Sequence, residues 1–171
     1  MIDTSWLKIS KPGLYVTPAY AHIDPVRAVD TAIITHGHAD HARAGHGHVI
    51  ATPETLAIMS ARYGANFAAQ QTALPYNQQL MLGDVNVKLI PAGHVLGSAQ
   101  IVVEYANTKI IAAGDYKRRS DPTCRPFQVE HCDVFITEAT FGLPVFVHPE
   151  PETQIKKLLE VQHLFPERSI I

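Results

Sequence analysis

The sequence contains little of what several classes of protein require. Its 171 residues include only two cysteines, Cys124 and Cys132, which are too few for a disulfide framework and fit a reducing compartment. No run approaches the roughly 20 uncharged apolar residues of a membrane-spanning helix, and the N-terminal stretch lacks the basic and apolar segments of a signal peptide. The net charge of -2 does not by itself indicate a nucleic-acid-binding protein. We therefore expect a cytoplasmic globular protein with no membrane partner.

Short β-type runs make up most of the rest of the sequence. Hydrophobic residues form 46% of the chain, which is enough for the core of one domain of roughly 100 to 200 residues. The predicted strands lie at residues 14–17, 20–24, 31–35, 49–52, 80–82, 85–91, 100–105, 109–113 and 134–137. Helices are predicted over 53–63, with Thr52 as N-cap and Gly64 at the end, and over 151–165. Two mixed sheets packed together and flanked by helices satisfy this order.

Two features of the C-terminal part bear on domain organisation. Residues 167–171 read as the start of a buried strand, so we expect residues 1–171 to be the N-terminal portion of a longer chain; a short edge strand is the alternative. Prolines at 144, 149 and 151 mark a boundary. We predict one domain over residues 1–145 and the start of a second unit over 146–171.

One motif carries most of the chemistry. Five of the ten histidines lie between His36 and His48, and three of them fall in His-Gly-His-Ala-Asp-His, directly after the predicted strand 31–35. Residues two apart in an extended segment point the same way, so His36 and His38 can share one metal ion. Asp40 and His41 follow where a helix could begin, aimed at a second position. Three imidazoles and a carboxylate so close together predict a zinc site.

Further polar residues lie at the ends of later strands. His94 and Asp115 each follow a predicted strand of the second half, where catalytic groups gather on a rigid scaffold. Alone, each is typical of a turn; with the upstream motif they become a third ligand and a carboxylate able to bridge two metals. His46 and His48 form a second His-Gly-His that lacks the following Asp-His. We interpret these two as surface residues or as residues that support the ligands.

The full pattern of HxHxDH, then Gly-His, then Gly-Asp, resembles the metallo-β-lactamase superfamily over about residues 12–140. The resemblance implies an α/β (α+β) fold, the αββα sandwich, with two metal ions at one edge of the sheets. It also implies six ligands: His36, His38 and His94 for the first ion, and Asp40, His41 and the bridging Asp115 for the second. Asp24 matches an early aspartate of the superfamily that orients ligands. Members with diiron redox sites usually have Glu in place of His38, so the resemblance favours hydrolysis with Zn²⁺, although Mn²⁺ fits the same ligands.

A further motif narrows the subgroup. Thr-Glu-Ala-Thr-Phe-Gly, which contains Glu138, follows a predicted strand and resembles the first acidic motif of the β-CASP nucleases, which process DNA or RNA. The local sequences around Asp24, Thr52 and Glu138 most resemble those of the bacterial ligase-associated DNA exonucleases. The resemblance therefore implies a nuclease linked to DNA repair, with DNA favoured over RNA and a DNA ligase as a partner. Asp40 and Glu138 are its implied catalytic residues, and segment 146–171 would begin the β-CASP cap. An ordinary strand-end carboxylate is the alternative for Glu138.

Substrate contacts are less clearly marked. Lys117, Arg118 and Arg119 follow Asp115 and can hold backbone phosphates without reading sequence; a solvated turn is the alternative for these cations. Of these, Lys117 and Arg118 are assigned to substrate binding together with Ser98. No aromatic-rich stripe stands out, so base recognition is not predicted. Two other functions share the ligand pattern: a small-molecule hydrolase of the thioesterase or lactonase type, and a non-catalytic module that binds nucleic acid or a partner protein.

Overall fold

The computed structural model describes residues 2–169, and its strands form two sheets. Sheet A contains six strands that lie side by side in chain order: β1 (Leu7–Ile9), β2 (Leu14–Val16), β3 (Ala21–Ile23), β4 (Thr31–Ile33), β5 (His46–Ala51) and β6 (Ala68–Ala73). The first three strands pair antiparallel, and β3 to β6 pair parallel. Parallel pairing brings the carboxyl ends of β3, β4 and β5 to one edge of this sheet.

Sheet B contains five strands in the spatial order β11-β10-β9-β8-β7. Their bounds are β7 (Gln79–Leu82), β8 (Val85–Pro91), β9 (Ala99–Tyr105), β10 (Thr108–Ala112) and β11 (Val134–Ile136). The strands β7 to β10 form antiparallel hairpins, whereas β11 returns to pair parallel with β10. The turn between β9 and β10 places Ala106 and Asn107 at positive φ, as a tight hairpin requires.

The main core lies between the two sheets. Alternate residues of both sheets contribute fully buried side chains to it, including Ile33 and Ile50 from sheet A and Val87, Leu89 and Ile101 from sheet B. A second cluster, with Met59 at its centre, fills the space between the other face of sheet A and a helix. Because each side of sheet A is covered, its central strands are apolar on both faces.

The helix that covers sheet A is α1 (Pro53–Tyr63). The Thr52 side chain caps it by accepting a hydrogen bond from the Thr55 amide at 3.2 Å, and proline occupies the first turn, where no amide donor is needed. At the other end Gly64 takes a positive φ and its amide donates to the Ser60 carbonyl. The sequence signals therefore act as predicted at both ends of this helix.

The predicted packing of two mixed sheets is confirmed, and the nine predicted strands are present with small shifts of their ends. Two strands were missed, because β1 is short and half-exposed and β6 consists mostly of Ala and Gln, which have weak β propensity. The expectation of a helix near Asp40 is wrong. The amides of His41 and Ala42 both donate to the His38 carbonyl, which makes one turn that does not continue into a helix.

The chain divides into two compact units, residues up to Glu138 and residues from Ala139. The second unit contains α2 (Pro151–Leu164), close to the predicted helix, and a ring contact between Phe141 and Phe146 at 5.4 Å. The predicted boundary at residue 145 stays a prediction. Of the terminal strand predicted over 167–171, residues 170 and 171 lie outside the described part. Within residues 2–169 no helix combines the length and apolar composition needed to cross a membrane.

Candidate metal centre

Four side chains from three strand ends converge at one edge of the sandwich. His36 and His38 follow β4 of sheet A, while His94 and Asp115 follow β8 and β10 of sheet B. One donor atom from each of the four lies within 4.8 Å of the others. Residues far apart in sequence therefore meet because the ends of these strands share an edge.

The three imidazoles face one another through their nitrogens. His38 Nδ1 lies 3.0 Å from His36 Nε2 and 3.3 Å from His94 Nε2. A single proton on His38 Nδ1 can satisfy one of these neighbours at a time, whereas a cation between them accepts lone pairs from all three. Imidazole nitrogens with one carboxylate are the ligands that zinc and similar divalent ions prefer. The residues therefore fit a divalent metal site.

Asp115 faces two groups of donors with its two oxygens. Oδ2 lies 3.7 Å from His36 Nε2 and 3.6 Å from His94 Nε2, while Oδ1 lies 3.6 Å from His41 Nε2. His41 Nε2 in turn lies 3.7 Å from Asp40 Oδ2. Asp40, His41 and Asp115 thus form a second group of donors beside the first. That this group holds a second ion, as the resemblance implied, stays a prediction.

Asp24 and Thr35 fix the orientation of two of these histidines. Asp24 accepts hydrogen bonds from the Thr35 amide at 2.8 Å, from the Thr35 hydroxyl at 2.5 Å and from His41 Nδ1 at 2.9 Å. Because the Thr35 hydroxyl donates to Asp24, its oxygen accepts from His36 Nδ1 at 3.0 Å. Both Nδ1 atoms then carry the proton, and the Nε2 lone pairs of His36 and His41 point to the donor cluster. Thr35 was missed as a functional residue, although its position directly before the motif was a usable signal.

The environment also sets the charges of the site. Burial lowers the pKa of His36 to about 3, and the neighbouring His41 adds to this effect, so His36 is neutral and able to bind a metal. Burial likewise holds the pKa of His94 below its usual value, against the opposing charges of Asp115 and Glu138. The hydrogen bond to Asp24 raises the pKa of His41, which reflects the negative charge around it. A hydrogen bond to its own backbone lowers the pKa of Asp40.

The other residues assigned from sequence occupy different surroundings. Ser98 is only 2% exposed, and its Oγ accepts hydrogen bonds from the His94 amide at 3.0 Å and the Val95 amide at 3.2 Å. Its role in substrate binding stays a prediction, while its visible contacts shape the loop that carries His94. Glu138 is half-buried at the end of β11. Lys117 Nζ binds Asp121 Oδ2 at 2.8 Å, and Arg118 is exposed.

The second His-Gly-His takes no part in this centre. His46 lies within β5 and is almost fully buried, with Nδ1 accepting from the Val29 amide at 3.3 Å. His48 Nε2 lies 2.8 Å from the Thr72 hydroxyl across the β5–β6 pair. The interpretation of His46 as a surface or ligand-supporting residue is wrong, because β5 begins three residues earlier than predicted and includes it.

Two mixed sheets with a histidine and carboxylate centre that fits a divalent ion at their common edge define a metal-binding αβ sandwich. The sequence model described as "Metallo-beta-lactamase superfamily" matches residues 6–168. The chain therefore belongs to the metallo-β-lactamase superfamily, as the motifs indicated.

Several curated relatives match most of this chain, and one solved structure shares its fold. A "Probable DNA ligase" of Opitutus terrae is 32% identical over 84% of this chain, and "Endoribonuclease ysh-1" of Neurospora crassa is 30% identical over 83%. An "RNase J-like protein" of Methanocaldococcus jannaschii is 26% identical over 78%. The chain spans 14%, 21% and 37% of the lengths of these three proteins. A structure of a protein of unknown function from Enterococcus faecalis, 14% identical, shares the fold with a TM-score of 0.56 over 77% of this chain and 38% of that one.

Proposed function

We propose that this chain is the metal-dependent core of a β-CASP-type nuclease that hydrolyses phosphodiester bonds of nucleic acid. The observation that carries the proposal is the convergence of two donor groups on the two oxygens of Asp115. Paired metal positions suit displacement at phosphorus, where both the attacking and the leaving oxygen need stabilisation. Relatives named as endoribonucleases and as a probable DNA ligase support nucleic acid as the substrate.

Divalent ions held by these donors would supply the Lewis acidity that activates water and offsets charge on the phosphate. Zinc is favoured, and manganese fits the same ligands. The side chains themselves hold and move protons. Asp40 is 76% exposed and its pKa is lowered, so its carboxylate is ionised and accessible to accept a proton from attacking water. Asp24 and Thr35 keep the protons of His41 and His36 on Nδ1, which leaves both Nε2 atoms directed at the site.

Within this class we favour a DNA exonuclease that works with a DNA ligase in repair. The match to the probable DNA ligase covers 84% of this chain, and the sequence around Asp24, Thr52 and Glu138 supports the same branch. We assign Glu138 to the catalytic edge because Ile136 of β11 pairs in parallel with Ala112 of β10, so Glu138 and Asp115 both follow strands that end at the same edge of sheet B. RNA processing is the competing activity within the same chemistry, since several relatives are named endoribonucleases.

The test is hydrolysis of matched DNA and RNA oligonucleotides, labelled at either end, by protein loaded with Zn²⁺ or Mn²⁺. We expect stepwise shortening of DNA by the wild-type chain and none by His38→Ala. Cleavage of RNA alone would move the function to RNA processing. Hydrolysis of thioesters or lactones without either nucleic acid would contradict the proposal and indicate a small-molecule hydrolase.

A further inference from the structure

Three aromatic rings that are separate in the sequence come together beside the metal centre. The ring of Tyr116 lies 5.2 Å from that of Phe127 and 6.0 Å from that of Phe135, measured between centroids. Tyr116 follows β10, Phe127 lies in the long loop between β10 and β11, and Phe135 lies in β11. We call these three residues the aromatic cluster.

The cluster adjoins the metal ligands through the backbone. Tyr116 directly follows Asp115, and its hydroxyl lies 3.2 Å from the hydroxyl of Thr137, the residue before Glu138. The Phe127 backbone packs so closely on Gly93, which precedes His94, that a Cβ atom on this glycine would lie 2.9 Å from the Phe127 nitrogen. The aromatic cluster therefore flanks the sheet B side of the metal centre.

Phe135 is partly exposed, and its ring contacts that of Tyr116. Its neighbours Val134 and Ile136 pack on the core between the sheets, so alternation along β11 turns Phe135 to the opposite face, where it is 42% exposed. Tyr116, which contacts both other rings, and Phe127 are half-buried. A partly exposed aromatic surface next to a reactive site offers a flat π face to a ligand.

Cations neighbour the cluster residues in the sequence. Arg118 and Arg119, both exposed, follow Tyr116 within three residues, whereas the guanidinium of Arg125, two residues before Phe127, lies over the Tyr76 ring at 5.6 Å from its centroid. Lys117 is engaged by Asp121. Aromatic platforms next to cations are the features by which proteins hold single-stranded nucleic acid, with bases stacked on rings and phosphates held by cations. In a duplex the base faces are already stacked, so they are not available to such a surface.

We propose that the aromatic cluster is a stacking subsite for an unpaired base of a nucleic-acid strand whose phosphodiester lies at the metal centre. The inference rests on the proposed function, which it deepens by assigning the substrate a single-stranded segment at the reacting end. Phe135 supplies the stacking face, and the sequence-independent nature of stacking makes the subsite tolerant of which base occupies it.

The experiment measures binding of fluorescein-labelled oligo(dT) by fluorescence anisotropy, with a chelator present so that cleavage does not interfere. We expect Phe135→Leu to weaken binding roughly 5- to 100-fold, the range for loss of one base-stacking contact. Phe135→Trp, which keeps a stacking face, is expected to bind at least as well as wild type. A fully abasic oligonucleotide of the same length is expected to bind wild type and Phe135→Leu equally.

Ile9→Ala, which removes an exposed apolar side chain from β1, an edge strand of the other sheet, is the matched control and is expected to bind like wild type. Equal binding of oligo(dT) by wild type and Phe135→Leu would overturn the inference. Equal losses on oligo(dT) and on the abasic strand would also overturn it, because they would indicate a change in fold or in phosphate contacts. Altered self-association without altered oligonucleotide binding would make the surface a protein contact instead.

The two proposals fail separately in this design. If oligo(dT) binding depends on Phe135 but metal-loaded wild type does not hydrolyse it, the stacking subsite is supported and the nuclease activity is refuted. Hydrolysis of oligonucleotides with no dependence of affinity on Phe135 would refute the subsite and leave the nuclease. Circular dichroism melting of Phe135→Leu and Phe135→Trp confirms that each compared variant is folded.

Discussion

Replacing Asp24 by Asn tests whether the metal centre depends on the proton positions of its histidines. The Asp24 side chain is 14% exposed and accepts three hydrogen bonds, two from Thr35 and one from His41. Asn keeps one acceptor oxygen, which the Thr35 amide can retain, and places an NH₂ group where Oδ2 stood. That group donates and cannot accept, so the Thr35 hydroxyl and His41 Nδ1 lose their acceptor.

The changed hydrogen bonds at residue 24 alter the proton positions of both His41 and His36. His41 Nδ1 then accepts from the amide, which moves its proton to Nε2, the atom that faces Asp40 and Asp115. The Thr35 hydroxyl turns its hydrogen away from residue 24 and donates to His36 Nδ1, which shifts the His36 proton to Nε2 as well. An Nε2 atom that carries a proton cannot ligate a metal, so the substitution disfavours binding at both positions.

The magnitude follows from the bonds exchanged. Hydrogen bonds to a charged group contribute about 1.5–3 kcal/mol each, and two of three are replaced by neutral bonds of reversed polarity. We expect the metal-free protein to lose about 1–3 kcal/mol of unfolding free energy and metal affinity to fall about 10- to 100-fold, as for other groups that orient ligands.

Competition with a chromophoric zinc chelator measures the affinity, and urea unfolding measures the stability. Asp30→Asn is the matched control, because this exposed aspartate lies in the same segment and contacts no metal ligand in the described structure. Zinc affinity of Asp24→Asn within twofold of wild type would refute the reasoning about proton positions. Loss of stability with unchanged affinity would reduce Asp24 to a structural residue.

Other substitutions separate the parts of the site. We expect His38→Ala and Asp40→Ala to abolish hydrolysis while thermal unfolding stays within a few degrees of wild type, and near-normal turnover in Asp40→Ala would contradict its assignment. Gly114→Ala is expected to lower the free energy of unfolding in urea by roughly 1–3 kcal/mol. Gly114 has a φ of 58°, and an added Cβ would lie 2.7 Å from the Cβ of Thr35. Stability equal to that of the wild type would refute this close approach. Burial alone would raise the pKa of Glu130, but hydrogen bonds from two lysines outweigh it and lower the pKa. The ionised Glu130 carboxylate therefore stabilises the fold above its ordinary pKa of 4.5, and this contribution is lost as the pH falls through the lowered pKa. Glu130→Gln should cost about 1–3 kcal/mol of unfolding free energy at pH 7 and nothing in acid. A cost that does not depend on pH would contradict the ion pair.

Most of the metal centre could be predicted because its signals are local. The His36–His41 motif stands in six consecutive residues, and His94 and Asp115 each follow an apolar run that ends in a turn. The strand order was harder to predict from the sequence. Strand β6 has the composition of a loop, and it pairs in parallel with the edge of β5. Tertiary pairing, rather than propensity, makes that segment a strand.

The contacts of Ser98 and the assembly of the aromatic cluster could not be deduced from spacing, because both depend on tertiary structure. Ser98 follows His94 within four residues, and only the structure shows that its hydroxyl accepts hydrogen bonds from the His94 and Val95 amides; its role in substrate binding stays a prediction. Phe127 and Phe135 are scattered in sequence, and only the return of the chain to pair β11 with β10 brings them to Tyr116.

The same pairing explains why the two sheets contribute different parts of the proposed chemistry. Sheet A supplies the compact motif and the Asp24–Thr35 network, so proton positions are set within one short stretch of sequence. Sheet B supplies His94 and Asp115 from strand ends, and the loop after β10 also carries Arg118, Arg119 and two of the three aromatic rings. Under the proposed function, variation in that loop can change which strand of nucleic acid is held while the histidines and their proton positions stay fixed.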